Sequence, residues 1–381
     1  MRILISGGGT GGHIYPALAV AGELRDRYGA ELLYIGDANG LETTIVPAAG
    51  IPFAAISAGK LRRYLSVRTF TDLGRIPLGM AQAYQHVKGF RPDAAFTSGG
   101  YVSVPAGMAA RLHGAPLVMH QQDVPPNLAN RLLTPFATRI SVSFAASLPY
   151  FPKQKTMLAG NPVREEVLRA ARLDPAQART RFGLHPALPV VLVTGGSQGA
   201  RRLNQVIAAA LPRLLPSCQV LHVSGERTYE ETRAQAERAL AATPELRARY
   251  ALFPYLKTEM PEALAACDIA LCRSGAATLA ELSIVGRPSV LVPLPPGFTG
   301  SPQAVNAEMF QRAGAAEMIL DRDLTPRRAV ELLAPLLGDA NRRVQMSVAA
   351  RKLGRPDAAR ELADLVASLA SPRAIASDSD R

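Results

Sequence analysis

The sequence predicts an α/β protein of two doubly wound domains, each a parallel sheet with helices on both faces. Two observations carry this expectation. An opening of strand, glycine turn and helix occurs twice in the chain, and short apolar runs alternate with helical patterns between and after the two openings. Length agrees, since 381 residues exceed one ordinary domain and fit two of roughly 150–200 each.

The first opening is Met1–Ser6 (MRILIS), then Gly7–Gly12, then the helical pattern IYPALAVAGELRDRYG. The second, starting 188 residues later, is Pro189–Thr194 (PVVLVT), then Gly195–Ala200, then RRLNQVIAAALPRLL. Further strands are expected at Glu31–Ile35, Ala94–Thr97, Leu117–His120 and Arg139–Ser143 in the first half. In the second half they are expected at Val220–Ser224, Ala251–Pro254, Ile269–Cys272 and Ser289–Val292. Ser147–Asn161 reads as the crossing between halves, 341–369 as a helical tail and Ser371–Arg381 as a polar end. The expected domains are 1–161 and 162–340, followed by the helical stretch 341–370. Ligands of open α/β sheets bind beyond the carboxyl ends of the strands, so the two glycine turns are expected on opposite walls of one cleft.

A hydrophobic fraction of 48% supplies two cores without disulfides or metals. Cys218, Cys267 and Cys272 have no metal-ligand spacing and read as small buried thiols in a reducing compartment. The 43 Lys+Arg against 31 Asp+Glu leave +12, which suits an anionic partner such as a phosphorylated substrate or a membrane face. Arginine-rich composition is also common in GC-rich genomes. Trp is absent and no nucleic-acid motif appears, so a nucleic-acid partner is not expected. The run Ile3–Ile5 is too short for a secretory signal, and no stretch reaches the ~18 apolar residues of a membrane span. Any membrane contact is therefore expected to be peripheral.

Gly7-x-Gly9-x-x-Gly12 fits the dinucleotide fingerprint, and Asp37 could close the second strand as its acidic residue, which would make the protein an NAD-type oxidoreductase. The full run GGTGGH instead suggests backbone N–H groups holding an anion or a hydroxyl-rich group at a helix start. His13 there is disfavoured as imidazolium by the helix dipole and suited to accept a proton; a capping or core role is the alternative. In Gly195–Ala200, Ser197 can donate to a phosphate, and Asn204 follows one turn into the helix. CRSGAATLAE, Cys272–Glu281, follows an apolar strand and opens a helix that Ser274 can cap. Glu281, two turns along the same face, can accept both hydroxyls of a ribose; a surface Arg–Glu pair is the alternative. Arg164 stands at the domain junction after Gly160-Asn161, and Gln303 and Asn306 are amides able to read sugar hydroxyls. Lys60, Arg62, Arg63, Arg68, Arg75, Lys88 and Arg91 frame Leu61, Tyr64, Leu65, Phe70, Leu73, Ile76, Leu78 and Met80, as an interfacial membrane patch would. The other reading of that stretch is a solvated helix covering its own core.

Six segments, GGTGGHIYPALAV, TSGGYVSVPAGMAA, GNPVR, GGSQGARRLN, CRSGAATLAEL and QAVNA, occur in order over about residues 1–365. In these the chain resembles the MurG family, bacterial glycosyltransferases that complete the lipid-linked peptidoglycan precursor. The resemblance implies a GT-B fold whose C-terminal helix, within 341–370, returns to the first domain, and transfer of N-acetylglucosamine from UDP-GlcNAc to the C4 hydroxyl of undecaprenyl-diphospho-MurNAc-pentapeptide (lipid I). A related nucleotide-sugar transferase with another lipid acceptor is the neighbouring alternative. The resemblance implies that Thr10, Gly11, Gly12, Arg164, Ser197, Leu256, Ala276, Ala277, Thr278, Leu279, Ala280, Glu281 and Gln303 bind the donor. It marks His13, Tyr101, His120, Asn130, Asn204 and Arg273 as supporting positions. It implies a peripheral location on the anionic cytoplasmic face of the membrane, with other cell-wall enzymes as further partners.

The family usually has His-Glu-Gln-Asn where this chain has His120-Gln121-Gln122-Asp123, so acid and amide have changed places. Pro302 also stands where an amide or histidine is usual. Passing from an α-linked donor to a β-linked product requires one in-line displacement with inversion. Either His13 or Asp123 is expected as the base, with Asp123 also among the substrate-binding residues, while helix N-termini and Arg164 hold the UDP. No cofactor and no metal are expected, since no Asp-x-Asp signature stands where one would be needed.

Overall fold

The computed structural model describes residues 1–59, 67–196, 199–295 and 303–370, with side chains for all of these but 67–76. The chain divides into two compact units, Met1–Arg164 with Arg355–Arg381, and Glu165–Gly354.

The first unit begins β1 (Arg2–Ser6), α1 (Gly11–Tyr28), β2 (Glu31–Asp37), α2 (Glu42–Ala48), β3 (Phe53–Ile56) and α3 (Val67–Phe90). It continues with β4 (Ala94–Thr97), α4 (Ser103–Leu112), β5 (Leu117–Gln121), α5 (Leu128–Leu133), β6 (Arg139–Val142) and β7 (Thr156–Leu158). All seven strands are parallel, in the order β3-β2-β1-β4-β5-β6-β7. Alternate residues of β1 feed opposite cores, which is why a strand buried on both faces reads as one apolar run. Ile3 and Ile5 meet Ile14, Ala17 and Val20 of α1, while Leu4 packs with Val102, Ala106 and Ala109 around α4.

The second unit begins α6 (Glu165–Ala170), α7 (Pro175–Arg181), β8 (Val190–Thr194), α8 (Arg201–Leu214), β9 (Gln219–Val223), α9 (Tyr229–Ala239) and β10 (Tyr250–Phe253). Then come α10 (Met260–Ala266), β11 (Ile269–Cys272), α11 (Ala276–Val285), β12 (Ser289–Leu291) and α12 (Gln303–Arg312). It closes with β13 (Ala316–Met318), α13 (Pro326–Gly338) and α14 (Ala340–Leu353). Its six strands are parallel in the order β10-β9-β8-β11-β12-β13. Cys218, Cys267 and Cys272 are free and buried there, and burial pushes each thiol up to about 12.

Two segments differ from the sequence reading. Ser147–Asn161 is not a bare connector, because Thr156–Leu158 within it pairs with β6 as the last strand of the first sheet. The tail read as one helix is two. α14 packs on α11 of the second unit, whereas α15 (Ala358–Ala370) lies against α1. Leu362, Ala363, Val366 and Ala367 share one face of α15 and enter the first unit's core, and Arg27 pairs with Asp364 at 2.7 Å beside it. The break falls at Gly354–Pro356, where a proline disfavours helix before it.

Strand order reverses between β1 and β4 in one sheet and between β8 and β11 in the other, the points where α/β sheets open a crevice. Both glycine turns lie at these points.

Candidate active site

β1 ends at Ser6 and α1 starts at Gly11, so Gly7–Thr10 must turn the chain between them. This turn is pressed against Ser98–Tyr101, which leaves the neighbouring strand β4. The Gly8 N–H donates to the Gly99 carbonyl at 3.3 Å, and a Cβ on Gly100 would overlap the Gly8 carbonyl oxygen. Gly100 has a φ of 89°, so conformation and space both require glycine. The Tyr34 hydroxyl donates to the Gly7 carbonyl and the Tyr101 hydroxyl to Asp37 Oδ2. Asp37 is thereby committed to the loop packing that supports the turn.

His13 stands half-buried in the first turn of α1, with Nδ1 3.1 Å from the Ser98 carbonyl oxygen. A carbonyl only accepts, so Nδ1 carries the hydrogen and Nε2 the lone pair. Burial pushes the imidazole below its ordinary 6.5, against upward pulls from Asp123, the Ser98 carbonyl and Glu42. The result is a neutral imidazole whose remaining nitrogen can take a proton. Thr10 is the N-cap of α1 but makes no side-chain cap bond, and Gly11 and Gly12 begin the helix. The Arg164 guanidinium lies 4.5 Å from the centre of the Tyr15 ring, so it belongs to the first unit, near the start of α1.

The loop after β5 is built on buried amides. Gln121 donates to the carbonyls of Asp123 at 2.7 Å and Pro125 at 3.2 Å, and accepts from Asn130 at 2.7 Å. Gln122 donates to the same Ser98 carbonyl that holds His13, at 2.8 Å. The carboxylate of Asp123 is therefore carried by a loop that the Gln121 amide fastens, and it acts electrostatically on His13. His120 is wholly buried, with Nε2 3.0 Å from Asn161 Oδ1 and Nδ1 2.8 Å from Ser141 Oγ. Burial lowers its pKa to about 4, so it is an internal brace below the site and not a surface acid.

In the second unit no described side chain caps α8 or α11, whereas Asp174, Thr325 and Asp339 cap α7, α13 and α14. Ser197 lies outside the described residues. Asn204 is buried, donating to the Ser224 carbonyl at 2.7 Å and accepting from His222 at 3.0 Å. It ties α8 to the loop after β9. Ser274 does not cap α11, as the sequence had suggested: Gly275 is the N-cap, and the Ser274 hydroxyl donates to the Gln303 carbonyl at 2.9 Å. Asn306, expected to read a sugar, is buried and donates to the Ser274 carbonyl at 3.1 Å. Gln303 accepts from Leu294 N–H at 3.2 Å and lies beside Gly275. In the first turns of α11, Ala276, Leu279 and Ala280 are buried while Ala277, Thr278 and Glu281 are half-buried. Leu256 is buried in the loop after β10, and Arg273 is committed to an internal ion pair with Asp321. Among the described residues no group of His, Cys, Asp and Glu could hold a metal ion.

The first unit thus gathers Thr10, Gly11, Gly12, His13, Tyr101, Asp123 and Arg164, with His120 and Asn130 beneath. The second gathers Ala276–Glu281 and Gln303, with Asn204 and Arg273 as internal ties. The sequence reading gave no role to Ser98, Gln122 and Asn161, although each stands inside a segment it singled out, and it passed over Tyr34, Glu42 and Asp321, which lie outside every motif and carry no local signal.

The glycosyltransferase family 28 N-terminal domain matches residues 3–142, and the family 28 C-terminal domain matches 190–362. The chain is 39% identical over 374 residues to the UDP-N-acetylglucosamine--N-acetylmuramyl-(pentapeptide) pyrophosphoryl-undecaprenol N-acetylglucosamine transferase of Desulforudis audaxviator, covering 97% of this chain and 99% of that one. The enzyme of the same name from Moorella thermoacetica is 40% identical over 94% of this chain and 96% of its own. The crystal structure of Acinetobacter baumannii MurG superposes with a TM-score of 0.72 at 27% identity, over 96% of this chain and 99% of that one. The chain belongs to the MurG family of glycosyltransferases. Its two parallel-sheet units are those of the GT-B fold, and the first glycine turn belongs to a transferase, not to an NAD-type oxidoreductase.

Proposed function

We propose that the chain transfers N-acetylglucosamine from UDP-GlcNAc to the C4 hydroxyl of the muramoyl sugar in undecaprenyl-diphospho-MurNAc-pentapeptide, with inversion. The observation that carries this reading is the 39% identity, across nearly the whole of both chains, to a transferase named for that reaction.

The C4 oxygen bonds to the anomeric carbon on the face opposite UDP. The anomeric C–O bond breaks with its electron pair leaving on UDP, and the hydroxyl proton passes to the base. His13 fits that role through Nε2, because the Ser98 carbonyl holds the hydrogen on Nδ1. The nearby Asp123 carboxylate stabilises the imidazolium that forms; it is the other candidate base. The starts of α8 and α11, which no described side chain caps, hold the diphosphate with Ser197 and Arg164, and their N–H groups favour its growing charge. Glu281 accepts the ribose hydroxyls. Leu256, Ala276–Ala280 and Gln303 line the uridine and sugar, while Thr10, Gly11 and Gly12 let the diphosphate approach closely. The first domain, read as 1–161, takes the acceptor, and the second, read as 162–340, takes most of the donor.

The polyprenyl acceptor would bring the chain to the cytoplasmic face of the membrane. Leu78 and Tyr84 are exposed on α3, with Lys88 exposed one turn beyond Tyr84. Lys60 to Ile76 of the sequence patch lie outside the described side chains. No helix among the described residues is long and apolar enough to cross a membrane, so the contact would be peripheral, alongside other cell-wall enzymes.

The test is UDP release from UDP-GlcNAc with a lipid I analogue, for wild type, His13→Ala and Asp123→Asn at saturating donor. Loss of a general base lowers turnover by roughly 100-fold or more. Two variants with near wild-type rates would remove both base assignments, and UDP release that ignores the lipid would remove the acceptor.

A further inference from the structure

Glu42 is wholly buried at the first turn of α2, beneath the glycine turn that carries His13. One carboxylate oxygen accepts from the Asp37 N–H at 3.0 Å, and the other is buried with no hydrogen-bond partner among the described residues. Such an arrangement is expensive, since an unpaired buried carboxylate oxygen loses its hydration without return. The surroundings are shaped for it nonetheless. Gly8 after β1, Gly36 in β2 and Gly40 just before α2 surround it, and a Cβ on any of them would overlap the Glu42 side chain. Three glycines leave room for one carboxylate.

The contacts lead from Glu42 to the site in two ways. Gly8 touches it and donates to Gly99, and Gly99 in turn packs against the His13 ring, where a Cβ would stand 3.0 Å from Nδ1. Asp37, held through its N–H by Glu42, accepts from the Tyr101 hydroxyl, and Tyr101 packs against Gly9. We propose that Glu42 is a positioning residue for the transfer reaction, its buried carboxylate setting the Gly7–Gly9 turn and so fixing the imidazole of His13 against Ser98. The proposal rests on the reading of His13 as a site residue. Glu42 also supplies negative potential to an imidazole that must become cationic during the reaction. The groups that face His13 are Asp123 after β5, Glu42 from α2, the Ser98 carbonyl after β4 and His120 in β5 below, with Arg164 over Tyr15 two residues along.

Two variants separate shape from charge. Glu42→Gln keeps the size and one acceptor oxygen but removes the charge. Gly40→Ala keeps the charge and pushes the carboxylate out of its seat. A displacement of about 1 Å at a reacting group costs on the order of 100-fold, so each variant is expected to lower kcat about 10- to 100-fold while the affinity for UDP stays within about twofold. In Glu42→Gln, the His13 imidazole resonances are expected to titrate at lower pH than in wild type, a change that a purely packing role would not produce. Gly40→Ala repeats the kcat loss should Glu42→Gln fail to fold. Wild-type kcat together with an unmoved His13 titration in Glu42→Gln, or wild-type kcat in Gly40→Ala, overturns the proposal. A wild-type enzyme that releases no UDP with lipid I analogue removes the function reading instead, and the titration still reports on Glu42 and His13.

Discussion

Arg273 and Asp321 form an ion pair at 2.6 Å, with 10% and 12% of their side chains exposed. Arg273 follows β11 and Asp321 follows β13, so the pair spans β12 and joins the carboxyl ends of strands two apart. The same guanidinium donates to the carbonyls of Val292 and Pro293 at 3.1 and 3.4 Å, where the segment toward Gln303 begins. Arg202, in the first turn of α8, approaches the other carboxylate oxygen at 3.6 Å. One carboxylate therefore ties both helix starts assigned to the donor. Removing a partner of a buried pair leaves a charge uncompensated, so Asp321→Asn is expected to destabilise the protein by about 3 kcal/mol. It is also expected to weaken UDP binding more than it lowers kcat. Urea unfolding and a UDP titration measure the two, and a loss of less than about 1 kcal/mol would mean that solvent already compensates Arg273.

Acid should destabilise the fold through its buried imidazoles. Burial lowers His120 to about 4 and His222 to about 3, from an ordinary 6.5. Above 6.5 both states are neutral and stability is complete. Below it the unfolded chain takes up protons that the native state refuses, so stability falls by about 1.4 kcal/mol per pH unit for each imidazole. The loss continues to about pH 4 for His120 and about pH 3 for His222. His13, lowered by burial as well, adds in the same direction. His222→Gln is expected to reduce the slope of unfolding free energy between pH 6 and 4.5 by about one proton. An unchanged slope would show that His222 is protonated in the native state.

Gln121 fastens the loop that carries Asp123. Its NH2 donates to two carbonyls, a bond pattern that a carboxylate cannot make. Gln121→Glu is expected to cost about 1–3 kcal/mol by setting a charge against two carbonyl oxygens. It is also expected to lower turnover by displacing Asp123. Thermal unfolding and the UDP-release assay give the two readings; a variant as stable and active as wild type would show that the loop refastens through Asn130.

What the sequence made legible follows from how each residue acts. Ten strands were readable because buried parallel strands are apolar runs several residues long. β3, β7 and β13 were not: each is a short edge strand left partly exposed, and only its one neighbour in the sheet makes it a strand. The turns around His13 and before α11 were readable from glycine spacing. The roles of Asn204, Arg273, Ser274 and Asn306 were not, because each bonds across the sheet or between helices to a residue distant in sequence. Polar residues next to a motif look like ligand contacts until their partners are known. Glu42 and Asp321 show the converse: residues outside every motif that hold the motifs in shape.

The membrane reading predicts a salt-dependent surface affinity. Tyr84 and Lys88 are one helical turn apart and both exposed, so an aromatic ring can enter the headgroup region while the ammonium meets lipid phosphates. A lysine near an anionic bilayer contributes about 1 kcal/mol, so Lys88→Gln is expected to weaken binding to vesicles containing anionic lipid about fivefold. Tyr84→Ser should weaken it to a similar degree through lost apolar burial, and independently of lipid charge. Raising ionic strength should erase the Lys88 effect and leave that of Tyr84, because screening acts on the charge alone. Cosedimentation with anionic and with neutral vesicles separates the two contributions. If both variants bind as wild type does, this end of α3 faces solvent and the attachment lies elsewhere on the chain.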